Sequence, residues 1–122
     1  MAVKGRYCNE LYFYSTKAPY SNKPLNVLKE GENFGALLYV KEKNILIAEV
    51  TGRERHITIN NMDNYQKITE ITCPEGIKTQ FYQISNEKVI FLCNTEIKIL
   101  ILTNNIIETL AEGIKYFVIY VY

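Results

Sequence analysis

The residues of this 122-residue chain that could carry covalent or acid–base chemistry are few and lie far apart. His56 is the single histidine, which excludes any mechanism or metal site that needs two. It could serve as the base for a thiol nucleophile, but no spacing brings Cys8, Cys73 or Cys93 to it. A zinc site normally shows closely spaced pairs of ligands, and the sequence has none. We therefore predict no catalytic residue, no metal site and no cofactor.

Glutamates and glycines are equally dispersed. The glutamates of the predicted turns stand singly, at Glu30, Glu32, Glu42, Glu75, Glu87 and Glu112. Paired carboxylates for acid–base catalysis can form in space, but such isolated residues are more typical of solvated loops. Glycines stand singly at positions 5, 31, 35, 52, 76 and 113, so no phosphate-binding loop of the GxGxxG type is present. The sequence indicates a protein that is not an enzyme, with no evident small-molecule substrate.

The number of cysteines and the length of the apolar runs indicate where in the cell the protein is located. Three cysteines form an odd set without a CxxC pair, which favours reduced thiols in small core or strand positions over a disulfide framework. No apolar segment follows the charged N-terminus, as a secretion signal would require. The apolar stretches 89–92, 97–102 and 117–121 are far shorter than the roughly 20 residues that span a bilayer. We expect a cytoplasmic protein without membrane insertion.

An aromatic segment near the N-terminus is one candidate binding surface. Strand alternation places Tyr12 and Tyr14 on one face and Phe13 on the other, so that Phe13 belongs to the core. Tyrosine is favoured at interfaces because it buries a large area and keeps a polar tip. The predicted partner-binding residues are Tyr7, Tyr12, Tyr14 and Tyr20.

A basic set is the second candidate surface. Its members lie in two loops and would converge if the intervening strands formed a hairpin: Lys41, Lys43, Arg53, Arg55 and His56. Together they could contact RNA phosphates with an affinity that falls as salt rises. The alternative is a pair of solvated hairpin ends whose charge is balanced by Glu42 and Glu54.

Short apolar runs separated by turn residues indicate an antiparallel sheet protein. The predicted strands cover residues 10–15, 36–41, 44–50, 56–60, 77–83, 88–94, 96–103 and 114–122. Within 56–60 and 97–102, isoleucine recurs at every second position, which predicts that this face of each strand packs in a core.

Three stretches leave the choice between helix and strand open: residues 24–30, 64–70 and 106–112. The last has the best helical signals, because Asn105 and Glu108 resemble a capping box and Gly113 stands at the expected stop. Strand remains an alternative for each.

Residues 34–115 resemble two consecutive blades of a WD40-type β-propeller. In residues 76–94 a strand with an aromatic residue near its end is followed by a polar turn and an apolar strand, and residues 95–110 supply a third and fourth. Residues 38–47 and 56–71 repeat the plan, although the Trp-Asp and Gly-His pairs of WD40 repeats are absent. Among propellers the chain is most similar to coatomer-type vesicle coat subunits. The resemblance implies a non-enzymatic scaffold that binds peptides and other coat chains.

Together these features predict one mostly β domain over residues 1–122, with antiparallel sheets and one or two short helices. The sheets would form a small barrel or sandwich, or partial propeller blades. A closed propeller needs at least four blades of about 40 residues, more than this chain holds, so a fragment of a larger propeller is one interpretation. The predicted function is a protein-interaction module within a larger intracellular assembly. The alternative is an RNA- or ribosome-associated factor.

Overall fold

The described residues form three sheets, and all three are antiparallel, as the apolar rhythm of the sequence predicted. The computed structural model describes residues 2–4, 10–19, 22–29, 33–52, 54–73, 76–77 and 80–113. The first sheet contains β1 (Ala2–Lys4), β2 (Glu10–Tyr14) and β3 (Asn26–Lys29). The central sheet contains β4 (Asn33–Val40), β5 (Ile45–Thr51), β6 (His56–Asn61) and β7 (Gln66–Thr72). The third sheet contains β8 (Tyr82–Gln83), β9 (Lys88–Cys93), β10 (Glu96–Ile101) and β11 (Ile106–Ala111).

Each sheet is a meander in which strands that follow one another along the chain are hydrogen-bonded neighbours. The two four-stranded sheets occupy residues 33–72 and 82–111. The described strands do not close into a barrel. Of the strand predicted for residues 77–83, the described part contains only β8, and the strand predicted for 114–122 lies outside the described residues.

All three ambiguous stretches form strands, namely β3, β7 and β11. The reason is clearest at Asn105, because an N-cap residue needs extended backbone whereas Asn105 has a left-handed φ of 56°. This conformation turns the chain back on itself, and β11 pairs with β10. Where the structure is described, the only helical segment is a 3-10 turn at Lys41–Lys43, and no helix is long and apolar enough to cross a membrane.

The inner strands of the central sheet, β5 and β6, are buried on both faces, which makes this sheet the middle layer of a stack. On β5, Ile45 and Ile47 pack in a core shared with the third sheet. Leu46, Ala48 and Val50 point the other way and pack with residues of the first sheet. Every second residue of a strand faces the same side, so a strand such as β5, with six of its seven residues buried, is suited to a layer covered twice.

The two strands with alternating isoleucines behave differently. Ile57 and Ile59 of β6 are fully buried in the core, as predicted. On β10 each face holds one buried side chain: Leu100 packs in the core shared with the central sheet, and Ile99 on the opposite face is 9 % exposed. The prediction that the β10 isoleucines pack in a core is confirmed for Ile99 alone, since Ile97 and Ile101 are half-buried. Alternation separates two faces, but it does not say which face meets the neighbouring sheet.

Glu49 is a buried carboxylate that connects the central sheet to the segment leading into the third. It is 6 % exposed and accepts backbone N–H groups from Ala36 at 3.2 Å and Ile77 at 2.8 Å. The Ala36 contact fills a β-bulge, since the register of β4 on β5 shifts between Phe34 and Leu37. A Cβ on Gly35 would lie 2.3 Å from the Glu49 carboxylate, so only glycine leaves room for it.

We expect Glu49→Ala to lower the free energy of unfolding by about 2–4 kcal/mol, because two N–H groups lose their acceptor. Glu49→Gln keeps one carbonyl oxygen and should lose roughly half as much. Urea unfolding of both variants measures the difference. An alanine variant as stable as the parent protein would contradict this role.

Candidate interaction surfaces

The predicted alternation of β2 is confirmed. Leu11 and Phe13 are fully buried against the central sheet, whereas Tyr12 and Tyr14 lie half-buried on the outer face of the first sheet. The Tyr12 hydroxyl donates a hydrogen bond to the carboxylate of Glu10. The other two predicted partner-binding residues, Tyr7 and Tyr20, lie outside the described residues. We name Tyr12, Tyr14 and their cross-strand neighbour Val27 the tyrosine face.

The predicted basic set does not converge. Lys41 and Lys43 occupy the turn before β5, while Arg55 and His56 follow the loop after it. The seven residues of β5 separate the two ends by roughly 20 Å, given about 3.3 Å per strand residue. Arg53 lies outside the described residues. A meander places successive turns at opposite ends of a sheet, so these side chains cannot form one continuous patch.

The turn before β5 makes contacts with the third sheet through Lys43 and Glu42. The Lys43 ammonium lies 2.8 Å from the Glu87 carboxylate, which also accepts a hydrogen bond from the Thr103 hydroxyl. Beside it, the Glu42 carboxylate accepts a hydrogen bond of 3.2 Å from the Gln83 amide. The basic turn is therefore part of the seam between the central and third sheets.

Arg55 and His56 also have local structural contacts. The Arg55 guanidinium lies against Gly76 so closely that a Cβ there would be 2.0 Å from it. His56 has its Nδ1 2.8 Å from the carbonyl oxygen of Glu54 and its Nε2 3.9 Å from the Glu70 carboxylate. The pKa of Glu70 is lowered, chiefly by a hydrogen bond from Lys67 and to a lesser degree by His56.

A second apolar surface was not predicted from the sequence. It lies on the outer face of the third sheet, where Ile99 pairs with Ile90 and Ile97 with Leu92. Ile101 continues the row along β10. None of these side chains belongs to either core cluster of the described residues, and all except Ile99, at 9 % exposure, are half-buried. We name these five residues the isoleucine face; the alternation of isoleucine in residues 97–102 was the signal for it in the sequence.

The cysteines occupy core positions at a cleft between the central and third sheets. Cys73 and Cys93 are buried thiols with their sulfur atoms 3.6 Å apart, and Cys8 lies outside the described residues. The cleft has a volume of about 560 Å³, and its lining includes Ile71, Cys73, Cys93, Lys98, Asn105 and Ile107. No three His, Cys, Asp or Glu side chains come together as a metal site in the described ranges.

The Lys43–Glu87 pair should make the seam sensitive to acid. The pKa of Glu87 is held below its usual value, first by the hydrogen bond from Lys43 and then by that from Thr103. A carboxyl group whose pKa falls on folding contributes stability above its unfolded pKa, about 4.3 for glutamate, and loses it as the pH falls through the folded pKa.

We therefore expect the coupling between Lys43→Met and Glu87→Gln in a double-mutant cycle to be present near neutral pH and to vanish in acid. Urea unfolding of the four proteins at a series of pH values measures it. A coupling that stays constant as the pH falls well below 4.3, the approximate unfolded value for glutamate, would refute the pair's role.

Comparisons of the chain with protein-family models, with curated proteins and with solved structures gave no match.

Proposed function

We propose that this chain is a non-enzymatic interaction module that assembles by stacking sheets, and that its partner is a second copy of itself. The isoleucine face of one copy packs against the tyrosine face of the other. The observation that carries the proposal is that the third sheet is apolar on both faces. Val89, Phe91 and Leu100 lie in the core on one side, and the isoleucine face lies on the other.

Two apolar faces are typical of a sheet that is covered twice. The central sheet of this chain is an example of a sheet covered on both faces, since the first sheet packs on one face and the third sheet on the other. The isoleucine face, like those covered faces, is rich in aliphatic side chains. A further sheet packed about 10 Å away would continue the stack in the same manner.

The first sheet supplies a matching surface at the other end of the stack. Tyr12 and Tyr14 are half-buried aromatic residues on its outer face, with Val27 beside Tyr12. Aromatic side chains are enriched at protein interfaces, and the isoleucines offer the apolar area they pack against. Contacts between unlike faces either close into a ring or propagate into a filament.

Two copies would bring six sheets together, within the four to eight blades of known propellers. Meandering sheets that stack in chain order, as they do in the described part of this chain, are also the arrangement of propeller blades. This supports the resemblance to propeller scaffolds, and it suggests a ring in which each copy supplies three blades. The RNA-associated alternative has no comparable support, because its basic residues lie at opposite ends of β5.

The test is the mass of the intact chain in solution by light scattering over a range of concentrations. We expect a discrete species of twice the 14.2 kDa of the chain. Ile97→Lys, on the isoleucine face, and Tyr14→Lys, on the tyrosine face, should each weaken the dimer about 10- to 100-fold, as expected for residues buried at an interface. Ile68→Lys is the matched control, since Ile68 is 52 % exposed and belongs to neither face.

The outcomes separate the possible occupants of the isoleucine face. A monomer at every concentration would refute self-assembly. If Ile97→Lys lowers the stability of a monomeric protein, the face is covered within the chain and the proposal fails. If Ile97→Lys dissociates the dimer but Tyr14→Lys does not, the contact joins like faces, and the ring of six sheets is refuted.

A further inference from the structure

We propose that Cys73 and Cys93 form a covalent modification site, a dithiol that small disulfides of the glutathione class convert into an intramolecular disulfide. The two sulfur atoms are 3.6 Å apart, and the residues are 6 % and 1 % exposed. The site is independent of the proposed assembly.

The geometry requires little movement. A disulfide bond is about 2.05 Å long, so the sulfur atoms must approach by roughly 1.5 Å, which rotation of side chains can supply. The two residues come from different sheets, since Cys73 follows β7 of the central sheet and Cys93 ends β9 of the third. The contact is therefore a product of the folded stack, because the residues are 20 positions apart in sequence.

The cleft gives a small oxidant a route to the sulfur atoms. Both cysteines line it, and its volume of about 560 Å³ is within the usual range for small-molecule sites. Cys73 is the more exposed of the two and is the first to react. Ile71 and Ile107 make part of the lining apolar, while Lys98 and Asn105 add polar groups.

The reaction balances as two thiol–disulfide exchanges. The thiolate of Cys73 attacks one sulfur of oxidised glutathione, the sulfur–sulfur bond of glutathione breaks, and one glutathione thiol leaves. The thiolate of Cys93 then attacks the Cys73 sulfur of the mixed disulfide and displaces the second glutathione thiol. Two electrons pass from the protein to glutathione, and the two thiol protons end on the two glutathione molecules.

The bond would join the central and third sheets covalently. It would close a loop containing β8 and Ile77, the residue whose N–H group Glu49 accepts. A closed loop reduces the freedom of the unfolded chain, so the oxidised protein should unfold at a higher temperature than the reduced one.

The experiment uses the full chain in glutathione buffers of defined ratio, quenched in acid, alkylated and digested with trypsin. In oxidising buffer we expect peptides 68–78 and 89–98 to be linked, with two hydrogens lost, and reducing buffer to restore both thiols. Cys8 falls in a separate peptide, 7–17, so its reactions are distinguished. In Cys93→Ser, Cys73 should instead retain one glutathione, a gain of about 305 Da.

Three results would overturn the proposal. The first is that both cysteines are still thiols after incubation in oxidising buffer and are therefore recovered alkylated. The second is that each cysteine carries glutathione and the two peptides are not linked. The third is a link that forms as readily in denaturant as in the folded protein, since the fold would then contribute nothing. A rise of several degrees in Tm on oxidation, reversed by reduction, would support it even if the serine variant does not fold.

Discussion

The contact on which the arrangement of sheets depends is the buried carboxylate of Glu49. A carboxylate out of water must be satisfied by donors, and Ala36 and Ile77 supply them from two different parts of the chain. One donor is free only because β4 bulges at this point, and the bulge needs Gly35 to admit the carboxylate. The Glu49 side chain thus stabilises the bulge in β4 and holds Ile77, which lies between the central and third sheets in the sequence. The seam made by Lys43 and Glu87 adds a second connection between those two sheets.

Much of the architecture could be predicted from the sequence because strands leave a local signal. Alternation correctly placed Phe13 in the core and Tyr12 outside it, and Ile57 and Ile59 were placed correctly as well. The ambiguous stretches could not be resolved, because a capping box and an asparagine turn begin with the same residue type. In the structure Asn44, Asn94 and Asn105 adopt left-handed conformations at hairpin turns. At each of them the chain reverses direction between two paired strands. Because asparagine is frequent throughout the sequence, its presence alone does not identify these turns.

The candidate surfaces differ in how well they can be predicted from the sequence. The tyrosine face follows from the sequence since only one face of β2 is suited to the core. The isoleucine face could not be placed from the sequence, because the face of β10 that meets the central sheet carries Glu96 and Lys98 beside Leu100 and is the less apolar of the two. The basic set failed for a topological reason, as two loops joined by a single strand lie at opposite ends of it. The approach of Cys73 to Cys93 depends on the stacking of two sheets and leaves no trace in the spacing of the residues.

The double burial of the central sheet has a consequence for how the molecule loses its structure. If the first sheet detached, Leu46, Ala48 and Val50 would become exposed, and if the third detached, Ile45 and Ile47 would. Either event leaves a four-stranded sheet with an uncovered apolar surface, which is a template for aggregation. The central sheet therefore couples the unfolding of the two outer sheets. We expect the three sheets to unfold together, although each is a local meander.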